Sequence, residues 1–280
     1  MNASEILAKL AEEYPLLYLN PDTTDQDTYK QVVLKGEEPP AKSLAHYRGN
    51  PADRLDIMET PVGPVRVLTL GNRQDFELVL RGLMAAKNGP LEKIPKSTGG
   101  SMVMVFNWGR IHAHLAKFPP EQQQAAFQEF ISVRENYLDM LVVLSRGPYS
   151  NVSADTAGYP EQEWLEISDT IRRYHELTHV ICRKRWPDRI HPVRDELIAD
   201  AVGLYAAYGE FDPEKAMMFL GIRDGAYTGG RLENYTDQPR EITPAVCREL
   251  SAIRQIIGSL PGAAPFDLLP SLMSAENGLA

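Results

Sequence analysis

The sequence predicts an α+β fold, with strands in the first half of the chain and helices in the second. Short β-like runs occur between residues 54 and 108, and helical periodicity dominates from about residue 146 onwards. The stretch SRGPYSNVSADTAGYP, residues 145–160, is the best internal boundary. We therefore predict an N-terminal α+β region of unknown role over 1–145 and a mostly helical region over 146–280, a division also compatible with one continuous domain.

The charge, the apolar runs and the cysteine count of the chain argue against several classes of protein. The chain has 280 residues, 43% hydrophobic and 24% charged, and a net charge of -9, which argues against nucleic-acid or anionic-membrane partners. It contains no apolar run near the roughly eighteen residues of a membrane span. Because charged residues interrupt the first 17 residues, we see no secretory signal and predict a cytoplasmic protein. Two cysteines, Cys182 and Cys247, are too few for a disulfide framework and suit buried thiols.

The elements of the first region follow from local patterns. Helical spacing predicts a helix over 4–18, and two β-like runs flank the turn VGP within 54–70. A helix over 73–89 would end at a glycine, a turn follows over 93–101, and a strand is predicted over 101–108. His112 and His114 alternate as on a strand or loop and are weak evidence for a metal.

Two later segments complete the prediction of secondary structure. The apolar spacing from Phe127 to Val142 predicts one long, largely buried helix over 121–144. At the other end, the last twenty residues carry three prolines and little periodicity, so we expect an irregular tail there.

The helix expected over 160–186 carries the main chemical signal. Pro160 and the acids after it form a typical helix start, and Pro187 follows its end. A period of 3.6 residues places His175 and His179 on one face, one turn apart, as two nitrogen ligands of one metal would be. Glu176 lies about 100° round the helix. Its carboxylate could take a proton from a metal-bound water, so HELTH reads as an H-E-x-x-H motif.

A third ligand is needed to distinguish a metal site from two core histidines. Six residues after the second histidine, where a metzincin would have a ligand, stands Arg185, which cannot bind a metal. The next predicted helix ends at Gly209 and presents Glu196 and Asp200 on one face. Glu196 can complete a zinc site while Asp200 accepts the other ring N–H of a ligating histidine. Cys182 is an alternative ligand, although it lies about 10 Å along the helix from His175.

HELTH followed by ELIAD resembles the gluzincin metallopeptidases of the thermolysin type, over about residues 160–210. The resemblance implies roles for five residues: zinc ligands His175, His179 and Glu196, Glu176 as general base and acid, and Asp200 as the residue that orients a ligand. The chain departs from that pattern in a slightly shorter spacing between the second histidine and the ligand glutamate. It also has Asp195 where those enzymes have an asparagine, and this acid suits a helix N-terminus.

No motif identifies the group that would stabilise a tetrahedral intermediate. Four residues could supply a donor, and we favour the first of them: Tyr235, His191, Tyr227 and Arg231. The segment GAYTGGRLENY, residues 225–235, is compatible with the lining of a cleft and equally with a glycine-bent surface loop.

The sequence therefore predicts a zinc-dependent metallohydrolase, a peptidase acting on a peptide or protein substrate, with a zinc-bound water and Glu176 as general base. The alternative is a non-catalytic zinc-binding or regulatory protein in which H-E-x-x-H is structural or a relic. Without a metal, His175 and His179 would be partly buried helix histidines satisfied by neighbouring carboxylates.

Overall fold

The protein is described by a computed structural model covering residues 3–85, 90, 92–189, 191–276 and 278–279. The predicted α+β class is confirmed, because a small mixed sheet lies in the N-terminal half and helices follow it. The chain divides into two compact units. The first comprises Met1–Ile57, Arg66–Pro95 and Ser101–Ser145, and the second comprises Met58–Val65, Lys96–Gly100 and Arg146–Ala280.

Within its described residues, the first unit contains most of a four-stranded sheet and five α-helices. The strands are β1 Arg54–Met58, β2 Val65–Leu70, β3 Gly100–Phe106 and β4 Leu138–Ser145; the helices are α1 Ala3–Glu13, α2 Gln26–Lys35, α3 Arg73–Leu83, α4 Trp108–Leu115 and α5 Pro120–Ile131. The strand order is β1-β2-β4-β3, and β2 runs parallel to β4 with Val67 opposite Val142. The predicted β runs in 54–70 and the strand after residue 100 are confirmed.

Two predictions for the first unit are wrong, and a third is tested only in part. The helix expected over 121–144 is two elements, since α5 ends at Ile131 and LDMLVVLS forms the inner strand β4. A short, continuous apolar run rich in valine fits a strand buried on both faces, and periodicity alone does not separate it from a buried helix. His112 and His114 lie on α4, not on a strand or loop. Helix α3 ends at Leu83, while the predicted end at residue 89 lies outside the described residues.

The second unit is mostly helical. Its helices are α6 Ala154–Ala157, α7 Glu161–Arg185, α8 Pro192–Tyr208, α9 Pro213–Leu220, α10 Pro239–Gly258 and α11 Leu269–Ser274, and the short strands β5 Ile222–Arg223 and β6 Ala226–Tyr227 pair antiparallel. The predicted bounds of α7 are confirmed, as is the cap of α8 at Gly209, whose φ of 74° is left-handed. No helix within the described residues is long and apolar enough to cross a bilayer.

The C-terminal tail is more ordered than the sequence indicates. Instead of an irregular end, a 3-10 helix at Pro265–Leu268 leads into α11, and Leu269 and Leu272 are fully buried. The prolines that break the periodicity stand in the first turns of these short helices, where a missing N–H costs nothing. Arg194 of α8 donates hydrogen bonds to the carbonyls of Leu272 and Ala275, each at 3.0 Å, and so holds the tail.

Candidate metal centre

Helices α7 and α8 carry the predicted site residues and pack closely against each other. A Cβ placed on Gly203 of α8 would lie 2.6 Å from the carbonyl oxygen of Ile171 on α7. Any larger residue would push the backbones apart, so the glycine sets this close approach. Gly203 follows Asp200 by three residues and Ile171 precedes His175 by four, about one helical turn each. The contact therefore fixes the spacing of the helices beside the site.

The side chains of His175, His179 and Glu196 face one another across the two helices and are called here the His–His–Glu cluster. The two Nε2 atoms of the histidines lie 3.1 Å apart. Oε2 of Glu196 lies 3.3 Å from Nε2 of His175, and Oε1 lies 3.4 Å from Nε2 of His179. In the part of the chain that the structure describes, no other group of three or more His, Cys, Asp or Glu side chains brings its possible ligand atoms within 4.8 Å of one another.

The geometry of the cluster fits zinc. A tetrahedral zinc ion with ligands at about 2.0–2.1 Å places its ligand atoms about 3.3 Å apart. The distances within the cluster are 3.1, 3.3 and 3.4 Å, although the two histidines face different oxygens of Glu196. Imidazole nitrogen and carboxylate oxygen are both zinc ligands, and three protein ligands are typical of catalytic sites. The donor set is therefore suited to the metal that the sequence predicts.

The second ring nitrogen of His175 is held by two buried side chains. Its Nδ1 lies 2.8 Å from Oδ1 of Asp200 and 3.2 Å from the hydroxyl of Tyr149. The Tyr149 hydroxyl in turn donates a 2.7 Å hydrogen bond to Asp200. With the Nδ1 proton directed at Asp200, Nε2 is the nitrogen left to face the cluster. Asp200 therefore lies where the sequence places it, beside a histidine of the predicted site.

Arg231 completes this arrangement from the other side of Asp200. Its guanidinium forms a buried ion pair with Oδ2 of Asp200 and donates a 2.9 Å hydrogen bond to the Tyr149 hydroxyl. Burial would raise the pKa of Asp200, but the charge of Arg231 and the hydrogen bond from His175 hold it below its ordinary value. Asp200 is thus kept ionised at a fully buried position.

The His–His–Glu cluster attracts positive charge. Burial alone would lower the pKa of His175, yet the hydrogen bonds to Asp200 and Glu196 raise it from 6.5 to about 10. Burial would also raise the pKa of Glu196, but the charges and hydrogen bonds of His179 and His175 hold it well below its ordinary value. The cluster accordingly binds a proton, and a metal ion could take that proton's place.

Glu176 is buried on α7 beside the first histidine, with 7% of its surface exposed. Its carboxylate makes no hydrogen bond or ion pair with any residue that the structure describes. The chain at Gly100 passes so close that a Cβ there would lie 2.8 Å from Oε1 of Glu176. A side chain at position 100 would therefore displace the carboxylate of Glu176. A buried, unpaired carboxylate is costly unless a water or ligand contacts it.

Tyr235 lies beside the cluster. Burial raises the pKa of its phenol, the charge of Arg231 opposes this, and the charge and a hydrogen bond of Glu196 raise it further. The guanidinium of Arg231 also lies 5.9 Å from the centroid of the Tyr235 ring. Tyr235 is therefore a neutral phenol beside the carboxylate of Glu196, a predicted ligand.

The other two oxyanion candidates make different contacts. The hydroxyl of Tyr227 donates to Glu233 at 2.8 Å and accepts from the N–H of Gly230 at 2.9 Å. Nδ1 of His191 accepts a hydrogen bond from the N–H of Arg194 at 3.2 Å and so caps the N-terminus of α8. Both residues have local structural roles.

Cys182, the alternative ligand, packs in the core. Its Sγ lies 3.8 Å from Sδ of Met273, and the cysteine is not part of the His–His–Glu cluster. Asp195 lies in the first turn of α8, as predicted, with a pKa raised by burial.

Tyr149 is the site residue that sequence reasoning missed. It stands in GPYSN, a segment with no periodicity that the sequence identifies only as a boundary loop. The fully buried Tyr149 hydroxyl joins His175, Asp200 and Arg231. No local signal pointed to it, because its partners lie 26 to 82 residues away.

A model of a protein family matches residues 16–256, and the chain therefore belongs to that family, described as a family of unknown function (DUF7005). No curated protein and no solved structure gives a significant match to the chain.

Proposed function

We propose that the protein is a zinc-dependent metallohydrolase of the gluzincin type that cleaves peptide bonds. The observation that carries the proposal is the His–His–Glu cluster. The three distances between its ligand atoms, 3.1 to 3.4 Å, suit one tetrahedral zinc ion. A second observation supports the hydrolytic part. The buried carboxylate of Glu176 directly follows the first ligand in sequence and has no partner among the described residues.

Each residue of the site then has a distinct task. Zinc, when bound, would polarise a carbonyl and make a water more acidic. Glu176 accepts a proton from the attacking water and passes it to the leaving amine. The Tyr235 hydroxyl donates a hydrogen bond to the oxygen on which negative charge develops. Asp200 and Tyr149 hold His175 in the orientation that directs Nε2 at the cluster.

We further propose a peptide or protein substrate and a cytoplasmic site of action. The resemblance to gluzincins supports the substrate class. Cys182 and Cys247 are free thiols, which are usual in a reducing compartment, and this supports the location.

The first test is the metal content of the purified full-length protein, measured by elemental mass spectrometry. We expect one zinc per chain in the wild type and none in Glu196→Ala, because two imidazoles alone bind the ion weakly. Glu163→Gln, at an exposed position of the same helix α7, is the control and should keep its zinc. A wild-type chain that takes up no zinc when the ion is supplied would remove the basis of the proposal.

The second test separates an enzyme from a non-catalytic zinc protein. Glu176→Gln keeps the shape of the side chain but cannot accept a proton, so zinc should stay bound while peptide hydrolysis falls by about 10²–10⁴-fold. Cleavage of a mixed peptide library, followed by mass spectrometry, compares the wild type and Glu176→Gln with the control Glu163→Gln. If zinc is bound and Glu176→Gln cleaves as fast as the wild type, or the wild type cleaves nothing, the non-catalytic alternative is correct.

A further inference from the structure

The second unit contains a cleft that the proposed hydrolase does not use. Its volume is about 430 Å³, within the range of small-molecule sites. The turn Tyr149–Asn151, the end of α9 and the β5–β6 segment provide its walls. Nine residues line it: Ser150, Val152, Met218, Phe219, Gly221, Arg223, Thr228, Gly229 and Gly230.

The lining has one apolar and one polar side. Val152, Met218 and Phe219 provide hydrocarbon and an aromatic ring, and Ser150, Arg223 and Thr228 provide a cation and two hydroxyls. The nine residues include no acidic side chain, although the protein has a net charge of -9. A ligand that matches both sides has an apolar body and a negatively charged group.

Arg223 supplies the charge. Its side chain is exposed, and within the described residues its guanidinium takes part in no hydrogen bond or ion pair. A guanidinium offers two parallel N–H donors that match the two oxygens of a carboxylate. The charge of Arg223 is thus available to a ligand and is not neutralised by the fold.

Ser150 supplies an unpaired polar group at the same cleft. Its Oγ is buried and has no hydrogen-bond partner within the described residues. Buried hydroxyls are nearly always paired, so a partner is expected. Ser150 and Asn151 also have left-handed φ values of 49° and 60°, which non-glycine residues seldom adopt and which often occur at ligand sites. This strained turn places Ser150 in the wall of the cleft.

Glycines bring the backbone close together at one side of the cleft. A Cβ on Gly221 would lie 2.3 Å from the carbonyl oxygen of Gly229, so no side chain fits between the two segments. Gly229 itself has a φ of 108° and no atom near the position of a Cβ. Gly221 thus allows the two segments to approach, and Gly229 borders open space.

We propose that this cleft binds a small organic acid, with its carboxylate on Arg223 and Ser150 and its apolar body against Met218 and Phe219. The site is separate from the His–His–Glu cluster and needs neither zinc nor catalysis. Failure of the proposed hydrolase would leave it unaffected.

The test uses N-acetyl-leucine as the probe and N-acetyl-leucinamide as its neutral counterpart, titrated into full-length protein by isothermal titration calorimetry. The acid should bind and the amide should bind at least tenfold more weakly, because charge-assisted hydrogen bonds are lost. Equal binding of the two, or no binding of the acid, would overturn the proposal. A tetrapeptide ending in leucine distinguishes two sources of the carboxylate: tighter binding indicates a peptide terminus, and weaker binding a free acid.

Variants locate the binding. Arg223→Gln should weaken the acid about tenfold or more, and Ser150→Ala should weaken it several-fold. Arg254→Gln removes the same charge from an exposed position on α10 and should leave binding unchanged. An equal loss in Arg223→Gln and Arg254→Gln would show a general charge effect and refute the site. Met218→Trp fills the cleft and should abolish binding if the cleft is correctly identified.

Discussion

Each of the two units has a cluster of charged and tyrosine side chains, and the clusters differ in how their carboxylates are neutralised. In the first unit, Asp139 accepts hydrogen bonds from the hydroxyl of Tyr14 at 2.6 Å and from Arg110, and lies 3.5 Å from Arg66. Glu13 forms a 2.5 Å ion pair with Arg66. Every carboxylate in this Asp139 cluster therefore has a guanidinium, and the two acids and two bases balance.

The second unit has the same residue types but not the same balance. Asp200 is paired with Arg231, whereas Glu196 has no lysine or arginine within ion-pair distance among the described residues. Its partners are the imidazoles of His175 and His179, which become cationic only by binding a proton. The carboxylates of the Asp139 cluster are thus neutralised by permanent cations, while the partly exposed carboxylate of Glu196 is neutralised only when an imidazole binds a proton.

The largest expected difference between the clusters is in metal binding. Glu196→Ala removes a predicted ligand and should lower zinc affinity more than about 100-fold. Loss of a residue that only hydrogen-bonds to a ligand lowers metal affinity by up to about 100-fold, and loss of a ligand itself should cost more. Glu13→Ala removes one negative charge from the Asp139 cluster and should leave zinc affinity unchanged. Competition with a chromophoric chelator measures both. Similar losses in the two variants would contradict the assignment of the ligand.

The next difference is in folding stability without metal. Arg231→Met leaves the Asp200 carboxylate buried without its guanidinium and should lower the free energy of unfolding by about 3–5 kcal/mol. In the Asp139 cluster, Arg110→Met removes an arginine that is 42% exposed and should cost at most about 1 kcal/mol. Urea unfolding with a chelator present gives both values. Equal costs would mean that burial does not distinguish the two clusters.

These clusters also show how far sequence reasoning extends. Helix periodicity predicts that His175 and His179 share one face of α7 and that Glu196 and Asp200 share one face of α8. The structure brings these two faces together. Tyr149 could not be found, because its contacts cross from a loop to three distant elements. Helical periodicity identifies residues that share one face of a helix, but only tertiary packing determines which loop residue contacts them.

The errors in the fold have a related cause. In β4, an apolar run that is buried on both faces has no period to read, so the sequence predicts the end of a helix there. At the C-terminal end, the 3-10 helix Pro265–Leu268 and α11 each have a proline in the first turn, which sequence reasoning reads as a break. Helix α7 is easier to predict because it is amphipathic over 25 residues.

A smaller effect should appear in the pH dependence of zinc binding. His175 has a pKa raised from 6.5 to about 10 in the metal-free fold, so its proton stabilises that fold fully below about pH 6.5 and the contribution is lost as the pH rises through about 10. Zinc needs the neutral imidazole and must displace this proton. Zinc affinity should therefore rise about tenfold per pH unit between about pH 7 and 9. Calorimetry in buffers of different ionisation enthalpy measures the proton released, and a value of zero would contradict the shift.

The smallest effect tests whether the hydroxyl of Tyr149, in the second unit, does more than stabilise the fold. Tyr149→Phe keeps the ring and its edge contact with Phe219 but removes the hydroxyl that donates to Asp200. Loss of one net hydrogen bond of about 1 kcal/mol should weaken zinc binding about fivefold, because Asp200 then holds His175 less firmly. Tyr14→Phe removes the equivalent hydroxyl from Asp139 and should lower stability by a similar amount with no change in zinc affinity. If both variants lose stability and neither changes zinc binding, Tyr149 acts on the fold alone, and the orientation of His175 depends on Asp200 without it.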